Sequence, residues 1–207
     1  WLVDTRLSHL GFVFNAGGLG HFGLSVTALD YGEQEVTTIS LPEGTGERWS
    51  ALDLAVGLSY ARALTDRFSV GGTAKLVRQT IWNEAASGAA IDLGVTYLTG
   101  FRNLRIGAAM TNFGTSMQMN GQDLRQAIDI DPNNEGNNPR NAARLETDDW
   151  SMPLIFRVGV AVDAYSTANQ RLTVSVDGLA PADNAQNANF GAEYSFRELF
   201  FVRGGFR

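Results

Sequence analysis

His9 and His21 are the only histidines in the chain, and the chain has no cysteine. Nucleophilic catalysis needs a base within hydrogen-bond reach of a hydroxyl or thiol. Without thiols, the remaining arrangement is His21 with a serine, on a strand that runs on into "FGLSVTAL". The plainer reading is a polar residue on one face of that strand. Two histidines without cysteine do not make a zinc centre. "DIDPNNEG" (129–136) sets Asp129, Asp131 and Asn133 at alternate positions, like the start of a calcium loop. Its sixth position is Asn134 where such loops need Gly, and its twelfth is Arg140 where they need Glu. The glycines of "NAGGLGHFG" and "GVTYLTG" do not lead into helices, so they are not phosphate cradles. No catalytic residue, metal site or cofactor emerges, and the chain reads as a non-enzyme.

The elements that carry these residues are strands. "SALDLAVGLSYARALTDRFSVGGTAKLV" (50–77) alternates large and small side chains almost throughout. Leu52, Leu54, Val56, Leu58 and Tyr60 share one parity; Asp53, Ala55, Gly57 and Ser59 share the other. A soluble hairpin would put Lys, Glu and Thr on its wet face, yet Lys75 is the chain's single lysine. Charged residues make up 18% of the chain, below the ~25% usual for soluble domains. The net charge of −6 argues against nucleic acid as a partner. No apolar run is long enough for a transmembrane helix.

Period-two alternation predicts ten strands, near 6–14, 20–31, 50–64, 67–82, 88–98, 104–113, 152–164, 171–179, 188–196 and 199–207. The connections 15–19, 65–66, 99–103, 165–170 and 197–198 are short. Those at 32–49, 83–87, 115–151 and 180–187 are longer or looser. Alternating short and long connections are the pattern of a membrane barrel with tight turns at one end and loops at the other. Residues 115–150 form the long extracellular loop of this reading, with Met117, Met119, Asp129 and Asp131 as candidate ligand or partner contacts, and "GQDLRQAI" within it as a helical turn.

The strand charges Asp53, Lys75, Asp92, Arg105, Arg157, Asp163, Asp177, Glu193 and Arg203 all fall on the small, polar parity. The expectation is a lumen lined by paired charges and an apolar, lipid-facing exterior. A basic residue turned to the bilayer midplane would cost ~2–4 kcal/mol. Tyr31, Trp49, Trp82 and Trp150 fall at the long-loop ends of strands, and Tyr60, Tyr97 and Tyr165 at the short-turn ends, as two aromatic girdles would. The fold class is therefore all-β, an antiparallel up-and-down transmembrane β-barrel with outer-membrane lipid around it.

"ALDLAVGLSYARALTDRFSVGGTAKLV" (51–77), "AAIDLGVTYLTG" (89–100), "LRIGAAMTNFGTSM" (104–117) and "FFVRGGFR" (200–207) resemble the PorV/PorQ family of outer-membrane proteins, within the FadL-like barrels. The resemblance implies fourteen strands, of which about ten are present, in the outer membrane of Bacteroidota-like bacteria. Residues 1–207 would then be a single barrel domain, cut short at both ends. It further implies a non-enzymatic accessory of type IX protein secretion that meets secretion-system proteins or cargo through its extracellular loops. The alternative is a FadL-like channel for long-chain fatty acids or other hydrophobic small molecules. No family residue role carries over to a matching position.

Overall fold

Strands form where large and small side chains alternate, because an extended backbone sends successive side chains to opposite faces. The computed structural model describes residues 5–129 and 140–207. In chain order the strands are β1 (Arg6–Asn15), β2 (His21–Glu35), β3 (Arg48–Ala63), β4 (Phe68–Ile81), β5 (Glu84–Leu98) and β6 (Arg105–Gly114). Five short ones follow: β7 (Ser116–Gln118), β8 (Asn120–Gly121), β9 (Arg125–Ile128), β10 (Asn141–Arg144) and β11 (Asp149–Ser151). The chain closes with β12 (Ile155–Ser166), β13 (Gln170–Pro181), β14 (Asn187–Phe196) and β15 (Phe200–Phe206).

The long strands make one antiparallel meander in the order β1-β2-β3-β4-β5-β6-β12-β13-β14-β15, with β8 added beside β5. Among the described residues β1 and β15 each pair on one side only. The all-β antiparallel reading is correct, and the ten long strands match the ten read from periodicity. Two connections differ. The link expected at 83–87 is a two-residue turn, Trp82–Asn83, with Ile81 opposite Glu84. Trp82 adopts φ 50° there, a left-handed corner that Gly or Asn normally fills. "GQDLRQAI" forms no helical turn; β9 within it pairs with β10 across the loop, Ile128 opposite Asn141.

The sheet curls around its small-residue face. One cavity of about 1120 Å³ is lined by Ser59 of β3, Thr73 of β4, Asp92 of β5, Arg105 of β6, Arg157 of β12, Thr173 of β13, Glu193 of β14 and Arg203 of β15. The other, convex face carries the bulky parity uncovered: Leu58 is 62% exposed, Leu76 67% and Val202 70%. Among the described residues no second layer packs on them. Among the described residues the only buried apolar side chains are Ala86, Ala90, Met117 and Met152. Nothing here resembles the core of a two-layer sandwich, where both inner faces bury their large side chains.

Candidate functional site

Small residues open the concave face, and polar ones furnish it. On β5, Asp92 sits opposite a bulge in β6, where the register slips between Ile91 and Leu93. The extra residue is Asn112, at φ 63°, a conformation that Asn tolerates better than most residues. Asp92 Oδ1 accepts from Lys75 Nζ at 2.7 Å and from the Asn112 amide at 2.8 Å. Lys75 also donates to Asn112 Oδ1, and the Asn112 side-chain amide donates to the Pro153 carbonyl at 2.9 Å. One ion pair thus fixes a bulge and ties in the chain arriving at β12.

A second cluster lies across β12 to β15. Glu193 accepts from Arg203 Nε at 2.5 Å and lies 3.7 Å from Arg171, which also reaches Glu198 at 3.2 Å. Asp163, buried beside a bulge in β12, accepts from Asn103 Nδ2 and Thr173 Oγ1, both at 2.8 Å. Asp53 accepts from the Tyr31 hydroxyl at 2.9 Å. Arg105, Arg157 and Asp177 also belong to this face; among the described residues none of the three has an ion-pair partner. The interior is therefore paired only in part. Asp177 lies over Gly159, where an added Cβ would stand 2.2 Å from its Oδ1. Arg171 was missed in the sequence, although it shares parity with Thr173 and the paired Glu193.

The long loop supplies the site's least expected feature. β7 and β11 pair, with Trp150 opposite Met117, and the pair folds over the concave face of β5. Met117 and Met152 bury themselves against Ala86 and Ala90, with Val77 and Met119 alongside. Gly88 lies beneath them; a Cβ there would stand 2.5 Å from Met152 Cε and 2.8 Å from Met117 Cγ. Polar bonds hold this strap. The Thr115 amide donates to the Ala89 carbonyl at 2.9 Å, and Thr147 Oγ1 to the Met119 carbonyl at 2.8 Å. Gln118 Nε2 donates to the Thr147 carbonyl at 2.6 Å, and the Asp123 amide to Glu84 Oε1 at 2.9 Å.

Met117, a candidate ligand or partner contact, faces inward and is buried. Met119 is half-buried beside it, and Asp129 is half-exposed beyond β9. Asp131 lies outside the described residues. Of the aromatic candidates, Tyr31, Tyr60, Trp82, Tyr97, Trp150 and Tyr165 are exposed and Trp49 is half-buried. Tyr31 turns its hydroxyl to Asp53 on the concave side. Tyr60 stacks on Phe22, centroids 5.1 Å apart, and donates to the Leu19 carbonyl, pinning the turn between β1 and β2. His9 bonds Thr27 Oγ1 at 2.8 Å through Nδ1. His21 has no hydroxyl partner among the described residues. The chain matches no protein-family model and no curated protein.

Proposed function

We propose that this chain is an outer-membrane β-barrel protein of the PorV/PorQ type, a non-enzymatic accessory of type IX protein secretion that presents its outer loops to a partner. The inversion of the sheet supports a membrane setting: bulky apolar residues cover the convex face, and charges gather on the concave one. In water such a surface would be an aggregation liability, whereas hydrocarbon solvates it.

The strap carries the choice between the two functions. An uptake channel of the FadL type would keep an apolar pocket near Met117, Met119, Trp82 and Trp150. That volume is filled by the methionines themselves, and the cavity on the same face mixes small apolar residues such as Gly94, Ala108 and Ala192 with the charges of Asp92, Arg105, Arg157 and Glu193. One observation favours uptake: a groove of about 530 Å³ on the convex face, lined by Leu24, Leu58, Leu76, Ile91 and Phe113. It lies on the face that would meet lipid, so acyl chains of the bilayer would fill it in any case.

The test replaces residues 120–146 by Asn-Gly. The Thr147 hydroxyl already reaches the Met119 carbonyl, so a tight turn can join them. Cargo secretion is expected to fall while fatty-acid uptake is unchanged. Loss of uptake with secretion intact would overturn the reading.

A further inference from the structure

β2 and β3 outrun their neighbours. Among the described residues β1 accompanies β2 as far as Asp30, opposite Arg6, and β4 accompanies β3 as far as Ala51, opposite Ile81. Beyond them, among the described residues, Glu33, Gln34 and Glu35 pair with Ser50, Trp49 and Arg48. The hairpin continues to its tip: the Val36 amide donates to the Glu47 carbonyl, Thr45 to Val36, and Thr38 and Leu41 exchange both backbone bonds.

The tip is apolar. Ile39 and Ser40 occupy the corners of a two-residue turn, neither with positive φ, so the turn does not itself call for Gly or Asn. Ile39 is fully exposed, Leu41 is 52% exposed, and Pro42 follows them in the open. Backbone bonding leaves the apolar side chains nowhere to fold back. Below the tip stands an acidic collar. Residues 30–48 hold Asp30, Glu33, Glu35, Glu43 and Glu47 against Arg48, a net −4 of the chain's −6. Arg48 is engaged by Glu33 at 3.2 Å. Glu35 folds under Gly44, whose φ of +122° leaves it room, and accepts from the Gly46 amide. Glu43 and Glu47 are exposed and have no ion-pair partner among the described residues.

We infer that hairpin 31–50 is a docking knob: Ile39, Leu41 and Pro42 enter an apolar pocket of a partner protein whose rim carries Lys or Arg. A rigid apolar anchor ringed by charge is the build of an interface hot spot, and its fixed backbone spares the ordering cost of binding. The collar selects the occupant. An anionic lipid surface presents the wrong sign to four exposed glutamates, and a second copy of this chain, net −2 outside residues 30–48, offers no basic excess to meet them. The knob needs only its exposure for this role, so it stands whether or not the cargo is a type IX substrate.

The test is photocrosslinking in the organism that makes the full-length protein, with Ile39→p-benzoylphenylalanine. Correct folding is checked by heat-modifiable mobility. A protein adduct is expected, with the crosslinked peptide mapping to an apolar pocket flanked by Lys or Arg. In the same background, Leu41→Asp and the pair Glu43→Lys, Glu47→Lys should each cut adduct yield at least tenfold. An adduct to a second copy or to lipid overturns the inference. So does a folded, labelled protein that gives no adduct, or a yield indifferent to the charge reversals.

Discussion

The methionine strap makes a quantitative claim about local stability. Met117 is 3% exposed and Met152 8% exposed, both resting on Ala86, Gly88 and Ala90. Truncating a buried Met to Ala costs ~2–5 kcal/mol, depending on how far the site collapses. The two side chains rest on small residues, Ala86, Gly88 and Ala90, and keep some exposure, so the lower part of that range, ~2–3 kcal/mol each, applies. β7 and β11 share three residue pairs, and so short a ribbon is not stable without its packing. Met117→Ala should therefore raise the opening equilibrium of the strap roughly 30- to 140-fold, at ~1.4 kcal/mol per decade. Adding Met152→Ala should raise it further, to roughly several hundred- to several thousand-fold, short of the product of the single effects, because the two side chains meet over one glycine and couple. Hydrogen exchange in a single detergent reads this directly. The amides of 116–118 and 149–151 should speed up by these factors while those at the centres of β3, β4 and β13 keep their protection. An increase below threefold in the double variant would refute the packing account. Equal acceleration across the whole sheet would refute the strap as a separate unit.

Two further outcomes follow from the same geometry. Leu58→Arg, on the convex face, should cost ~2–4 kcal/mol in refolding equilibria with lipid vesicles if that face meets the bilayer midplane; a cost under ~0.5 kcal/mol would argue that water surrounds it. Asn112→Ala should destabilise by ~2–4 kcal/mol in denaturant titration, since it loses the bonds to Lys75 and Pro153 and puts a less tolerant residue at φ 63°. Asn112→Gly should recover ~1–2 kcal/mol of this, and no difference between the two variants would remove the backbone contribution.

Strand positions were legible because one signal repeats without interruption: at residues 51–63 every second side chain is large, and the pleat converts that directly into two faces. The same signal put Lys75, Asp92 and Glu193 on one side. It did not give their partners, since pairing depends on register between strands; Lys75 meets Asn112 only because β6 carries a bulge. The turn at Trp82–Asn83 was illegible because Trp is an unusual corner residue, held there by the strands on either side. The strap was the largest omission. "GQDLRQAI" has helix-forming residues, but the pairing of β9 with β10 outweighs that local preference. The run Ala85, Ala86, Ser87, Gly88, Ala89, Ala90 was a usable hint, since so many small residues in a row leave a hollow that something else must fill.

No other link in the meander exceeds the twelve residues 36–47 between β2 and β3, but β6 and β12 are joined through the 40 residues 115–154. Closing so long a segment costs ~3 kcal/mol in chain entropy, and length alone does not fix where β12 begins. The three-residue ribbon of β7 and β11 is a register lock for that junction. Once Trp150 stands opposite Met117, Phe156 must fall beside Met110 and Arg157 beside Ala109. A slip of one residue there would turn Phe156, Val158 and Val160 toward the cavity and drive Arg157 and Asp163 out through the apolar side. A small knot of methionine and tryptophan thus decides which way half the sheet faces.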